Sequence, residues 1–310
     1  FKGTFGEALA AIFAILIVLA LGFMGNMVQS NSIGAAFSEV FSARNIEIPS
    51  IVFGLILAAV IGFIFLGGVN RLASVVEKIV PIMAGIYIVG SLVLILMNIT
   101  ALPEAIKMIF VGAFNPEAVV GAGAGIAVRE AIRFGVARGL FSNEAGMGST
   151  PHAHARAKVE NPHKQGLAAM ISVFIDTFII LNLTVFSILT TGVLDSGKEG
   201  TALTQAAFTK GFGNFGDIFV AVCLLFFAFS TILGWHFFGE VNVKYLFGEK
   251  AAKFYSILVI GFVIVGSTLK VQLVWSLSDF FNGLMVIPNA IALWALSGIV
   301  VKICKQYGKK

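Results

Sequence analysis

"RGLFSNEAGMGSTPHAHAR", residues 138–156, is a polar island in an apolar chain. Gly, Ser, Asn, Glu, His and Arg crowd together here between two long apolar segments. Of the 310 residues, 58% are apolar and only 12% charged, and the mean hydropathy is +0.97, against about 25% charged residues in soluble domains. The composition is that of a membrane protein, with the lipid bilayer as its first partner, and the recurring apolar runs make an all-α, polytopic one the expectation. The glycines at 139, 146 and 148 invite a helix to unwind in the island. Irregular backbone at membrane depth survives only when buried in protein or lining a watery cavity. The freed N–H and C=O groups of such a break can hold a carboxylate and a small cation. A cytoplasmic loop rich in glycine is the competing reading.

Working outward, apolar runs near the ~20 residues needed to cross a bilayer recur along the whole chain. Eight spans are expected, at about 8–30, 51–69, 79–97, 118–142, 167–194, 218–238, 254–269 and 280–301. The segment "PEAIKMIFVGAF", 103–114, is too short to span and mixes charge with bulky apolar residues, so an amphipathic helix lying in the interface is expected. No separate soluble domain is visible, and residues 1–310 read as one transmembrane domain.

Positive loops are retained in the cytoplasm. With residue 1 inside, the inner segments hold Lys2, Arg71, Lys78, Arg156, Lys158, Lys164, Lys244, Lys250, Lys253, Lys302, Lys305, Lys309 and Lys310. The outer loops hold only Arg44, Lys107, Lys198, Lys210 and Lys270. Both ends are therefore expected in the cytoplasm of a multi-pass cell-membrane protein. Basic residues form no stripe with interleaved aromatics, which argues against nucleic acid. Cys223 and Cys304 build neither a disulfide framework nor a metal cluster. The chain begins with Phe and enters an apolar helix almost at once, without a basic region and cleavage site, and so reads as a fragment.

Several polar groups stand inside the apolar runs. In "GFMGNMVQSNS", Asn26, Gln29 and Ser30 share a face at i, i+3 and i+4; they line a site or simply bond neighbouring helices. In "FAFSTILGWHFFGE", Thr231, Gly234 and Trp235 offer a hydroxyl, a gap and an aromatic wall; a Gly-assisted helix contact is the alternative. Asp176, about ten residues deep in the fifth span beside Thr177, costs roughly 2.5–3.5 kcal/mol to insert and wants a cation. Na⁺, a proton or an arginine of the fourth span would serve. Arg129, Glu130 and Arg133 allow partial neutralisation within that span, and the irregular arginine spacing does not suit a voltage sensor. His152, His154 and His163 lack metal-ligand spacing and read as solvated loop residues. No nucleophile and base or phosphate loop suggests an enzyme.

"GNMVQSNS", "RGLFSNEAGMGS", "QGL…VFIDT" and "STILGW…GE" occur in an order and spacing that resembles the alanine or glycine:cation symporter family, from about residue 8 to residue 303. The resemblance implies a LeuT-type fold of ten core helices in two inverted five-helix repeats, with broken first and sixth helices around substrate and Na⁺. The eight spans then correspond to core helices three to ten, the fourth to the broken sixth, and the second repeat to about 118–303. The first two core helices, partners from the same protein, would be missing from this chain. The resemblance also implies that Gln29, Phe141, Thr231 and Trp235 contact a small neutral amino acid, and that Ser230 and Thr231 form a hydroxyl pair holding Na⁺. Ser142 and Asn143 join the substrate set as polar groups of the unwound stretch, and Asp176 joins the cation set independently. The bulky Phe141 and Trp235 leave room only for a short side chain, alanine or glycine. The expected function is cation-coupled symport by alternating access, with Na⁺ or alternatively H⁺ as coupling ion and no organic cofactor. A carrier for another solute, a channel and a non-transporting scaffold are the alternatives.

Overall fold

The structure, a computed structural model, describes residues 3–65, 68–114 and 124–308. Its first element is one helical run of 39 residues. α1 (Thr4–Ile17) passes through a π-helical stretch, Val18–Gly25, into α2 (Asn26–Ser42). The wide turn falls where two glycines admit large rings. A Cβ on Gly22 would meet the Tyr255 hydroxyl at 2.4 Å, and one on Gly25 would meet the Trp235 ring at 2.6 Å. Asn45 adopts φ 60 just after α2, a left-handed conformation that Asn tolerates.

α3 (Ser50–Phe65) follows Pro49, then α4 (Gly68–Met97) and α5 (Leu102–Phe114). α5 is the amphipathic segment expected at 103–114, with a Glu104–Lys107 pair and exposed Phe110 and Phe114. α6 (Ala124–Asn143) carries the arginines of the fourth expected span. After the short α7 (Pro151–His154), α8 (Pro162–Phe174) starts with Pro at its first turn and the Asn161 Oδ1 accepting from the Lys164 amide at 3.0 Å, a strong start signal. It runs through a second π stretch, Ile175–Ile180, into α9 (Leu181–Thr191), which Gly192 ends at φ 64. α10 (Gly200–Phe212) folds against α11 (Gly216–Phe247), and α12 (Glu249–Thr268) and α13 (Val271–Tyr307) complete the chain.

Six helical runs among the described residues are long and apolar enough to span: Thr4–Ser42, Glu77–Met97, Pro162–Thr191, Gly200–Phe247, Glu249–Thr268 and Val271–Tyr307. The expected eight differ at two places. α3 has 16 residues, about 24 Å at ~1.5 Å per residue, short of the ~30 Å hydrocarbon core. α6 carries Arg129, Glu130, Arg133 and Arg138, and the start of that expected span, 118–123, lies outside the described residues.

α2, α3, α11 and α12 form the centre. Ile17, Leu21, Ile61, Ile232, Leu233 and Val259 are fully buried there, while Ile82, Leu96 and Trp294 are turned outward, as lipid-facing side chains are in a bilayer. Polar ties cross the apolar interior. The Asn31 amide donates to the carbonyls of Gly266 (2.9 Å) and Leu269 (2.7 Å), and the Gln205 amide to those of Ala36 (3.0 Å) and Asp217 (3.2 Å). At one end of α11, Asp217 pairs with Arg44 at 2.7 Å. These ties hold α2 against α10, α11 and α12.

Candidate functional site

α6 stays regular through Asn143, so the expected unwinding starts later than Gly139, which sits inside the helix. A lone glycine costs a helix only ~1 kcal/mol; a run of left-handed residues ends it. Glu144 takes φ 53, Gly146 φ 87 and Gly148 φ 83. Pro151 then restarts the chain as α7. Within the break, Met147 and Ser149 are wholly buried.

Glu144 is the hinge of this break, and sequence reasoning did not assign it to the site. One carboxylate oxygen accepts from the Trp235 indole N–H on α11, the other from the Ser149 hydroxyl. Farther along, the Asn289 amide of α13 donates to the Gly146 carbonyl at 2.6 Å. His152 is no solvated loop residue, contrary to expectation. Its Nδ1 lies 2.8 Å from the Ser149 carbonyl and so must carry the proton, and its Nε2 accepts from the Asn242 amide at 2.9 Å. His154 likewise meets the Gln165 amide at 2.6 Å. Both imidazoles are half-buried, His152 bonded to the break at Ser149 and to α11, and His154 to α8.

The expected site residues separate into two groups. In the first, Phe141 stands edge-on to Trp235, with ring centroids 5.1 Å apart and an 84° interplanar angle. Trp235 is 3% exposed and lies over Gly25, at the end of the π stretch; Gln29 follows four residues later, at the start of α2. Asn26 and Ser30 are turned into their own helix, donating to Gly22 O at 3.0 Å and Met27 O at 3.1 Å; Gln29 is the amide left over. Thr231 is one turn before Trp235 on α11. Ser230 and Thr231 both donate to the Phe227 carbonyl at 2.9 Å, which leaves their oxygen lone pairs for a cation. Apart from its chain neighbours and the backbone of its own helix, no heavy atom of the described residues lies within 4 Å of a Cβ placed on Gly234, so there is open space on that side of α11.

The second group is held elsewhere. Ser142 donates to Asp176 at 2.6 Å and Asn143 accepts from Thr177 at 2.9 Å. Two successive residues of the α6 end are thus bound to two successive residues of the π stretch. Among the described residues Asp176 finds a hydroxyl partner and no arginine. Arg133 pairs with Glu130 at 3.3 Å, and Arg138 grips Asp279 through two bonds of 2.5 and 3.1 Å. Arg138 also lies 3.9 Å over the Trp275 ring, which leans on Phe141 at 4.8 Å. Trp275, Asp279 and Arg138 back the aromatic wall; no local period in the sequence connects residues 141 positions apart.

These features define a class, a polytopic helical membrane protein whose polar centre gathers around a broken helix. The chain belongs to the sodium:alanine symporter family, whose model matches residues 2–310. It is similar to the amino-acid carrier protein AlsT of Bacillus subtilis, 41% identical over 100% of this chain and 64% of the relative. It is also similar to the sodium/alanine symporter AgcS of Methanococcus maripaludis, 37% identical over 98% of this chain and 66% of the relative. The probable sodium/glutamine symporter GlnT of B. subtilis is 40% identical over 100% of this chain and 63% of its own length. The chain thus spans just under two thirds of the length of these curated relatives.

Proposed function

We propose that this chain carries part of the substrate and cation site of a symporter that couples Na⁺ to a small neutral amino acid by alternating access. The observation that carries the reading is the break at Glu144–Thr150, folded against Trp235 beside Phe141 and one helical turn from the Ser230–Thr231 hydroxyl pair. Gln29, Phe141, Thr231 and Trp235 contact the amino acid in this reading, with Ser142 and Asn143 at its edge. Ser230 and Thr231 supply neutral oxygens to the cation, and Asp176 supplies a carboxylate to its path. Two aromatic walls favour alanine or glycine over the glutamine in one relative's name. The LeuT-type arrangement, with α6 as the broken sixth core helix, and cytoplasmic placement of both ends belong to the same proposal. One relative's name, sodium/proton-dependent alanine carrier, keeps H⁺ as the second candidate ion.

Uptake of labelled alanine by the whole protein in proteoliposomes tests it. Uptake should saturate, show counterflow, require Na⁺, and fall at least tenfold in Gln29→Ala and Trp235→Ala; an unsaturating conductance, or normal uptake by both variants, rejects the site. Asp176→Asn should shift the Na⁺ dependence more than the alanine affinity. Unaltered Na⁺ activation removes Asp176 from the cation path.

A further inference from the structure

The cation set named so far draws its charge from Asp176, yet Asp176 is bound to Ser142, and among the described residues no bond ties it to the aromatic wall. The carboxylate at the wall itself is Glu144. Glu144 is half-buried as a residue, with its head group lying between Trp235, 3% exposed, and Ser149, 0% exposed. Both donors are neutral, one to each oxygen. Of the charged groups near the break, Arg138 pairs with Asp279, Asp176 with Ser142, Glu240 with Lys244 while facing His236, and Arg156 lies over the Phe237 ring at 5.6 Å. His152 spends its N–H on the Ser149 carbonyl. Among the described residues Glu144 makes no ion pair. A carboxylate drawn out of water is paired, coordinated or protonated, because neutral hydrogen bonds do not cancel its charge.

We propose that Glu144 is the anionic group that takes up the coupling cation, a monovalent ion that is either Na⁺ or H⁺, and that its occupancy sets the position of the Trp235 wall. The proposal rests on the symport reading and assigns a residue which that reading leaves without a role. Cation and amino acid are then coupled through one hydrogen bond, since the oxygen facing the ion belongs to the same carboxylate that holds the indole of the substrate wall.

The test uses melting temperatures of the purified whole protein in detergent. NaCl is compared with choline chloride at equal ionic strength near pH 8, and a second series in choline chloride is acidified. A carboxyl that loses water on folding holds its proton more tightly folded than unfolded, so protonation stabilises the folded state as pH falls. Saturating Na⁺ should raise the wild-type melting temperature by about 5 °C; if the ion is H⁺, the rise appears on acidification instead. Glu144→Gln, which keeps an acceptor for Trp235 without the charge, should lose whichever rise the wild type shows. Trp235→Phe removes one donor to the anion and should move the midpoint to lower Na⁺ or higher pH. Identical responses of wild type and Glu144→Gln, sloped or flat, overturn the proposal. If Glu144→Gln does not fold, an unmoved midpoint in Trp235→Phe overturns it. Failure of the symport reading shows separately, as absent or unsaturating alanine uptake.

Discussion

Gly25 is where the aromatic wall is decided. A methyl added there would lie 2.6 Å from Cζ3 and 2.7 Å from Cε3 of Trp235, closer than carbon atoms approach, and the ring is held by Glu144 on one side and Phe141 on the other. Gly25→Ala should therefore displace Trp235, cost about 1–3 kcal/mol through overpacking, and depress alanine uptake together with thermal stability; a variant with unchanged uptake and melting temperature means the ring does not rest there. Arg138→Lys keeps the charge but loses the paired bonds to Asp279 and the planar stack on Trp275. A double-mutant cycle between Arg138 and Asp279 should give a coupling on the order of 1 kcal/mol, discounted because both side chains are part-exposed. Trp235 could be read as an aromatic wall beside the gap at Gly234, whereas Phe141 entered only through the family resemblance. Glu144 was not readable as the hinge: nothing local to "SNEAGMGS" says that its carboxylate reaches a residue 91 positions on.

Helix corners carry the fold at the scale of the element. At the α10–α11 corner a Cβ on Gly216 would sit 2.2 Å from the backbone carbon and oxygen of Phe208, whereas Gly213, at φ 60, has open space around it. Gly213→Ala should cost about 1–3 kcal/mol by conformational strain alone. Gly216→Ala should cost more, since two main chains must part; equal melting temperatures for the two variants contradict that packing. At the break, Gly148 combines φ 83 with the Asn289 amide oxygen 2.6 Å from the missing Cβ. Most helices were legible from their apolar runs. The π stretches at Val18–Gly25 and Ile175–Ile180 were not: an extra residue in one turn is a response to what packs beside it, and the apolar period is too blurred in a chain greasy on all sides to register it.

The orientation of the whole molecule rests on the distribution of Lys and Arg, and its two cysteines test it. Cys304 is exposed near the end of α13, and Cys223 is buried in α11. With both ends in the cytoplasm, a membrane-impermeant maleimide should modify Cys304 in inside-out vesicles and spare it in intact cells, while Cys223 stays unmodified in the folded protein; labelling of Cys304 in intact cells reverses the assignment. The sequence by itself determined the solvent of this protein, its helical class and the places where polar groups interrupt apolar runs, because transfer from water to hydrocarbon is a sum over residues and needs no knowledge of neighbours. Only the tertiary structure decided where α6 stops, that Ser142 and Asn143 bind Asp176 and Thr177, and that Trp235 is held by Glu144 above Gly25. Those are pairwise contacts between distant helices, set by shape and hydrogen-bond complementarity, and no term in a residue-by-residue sum contains them.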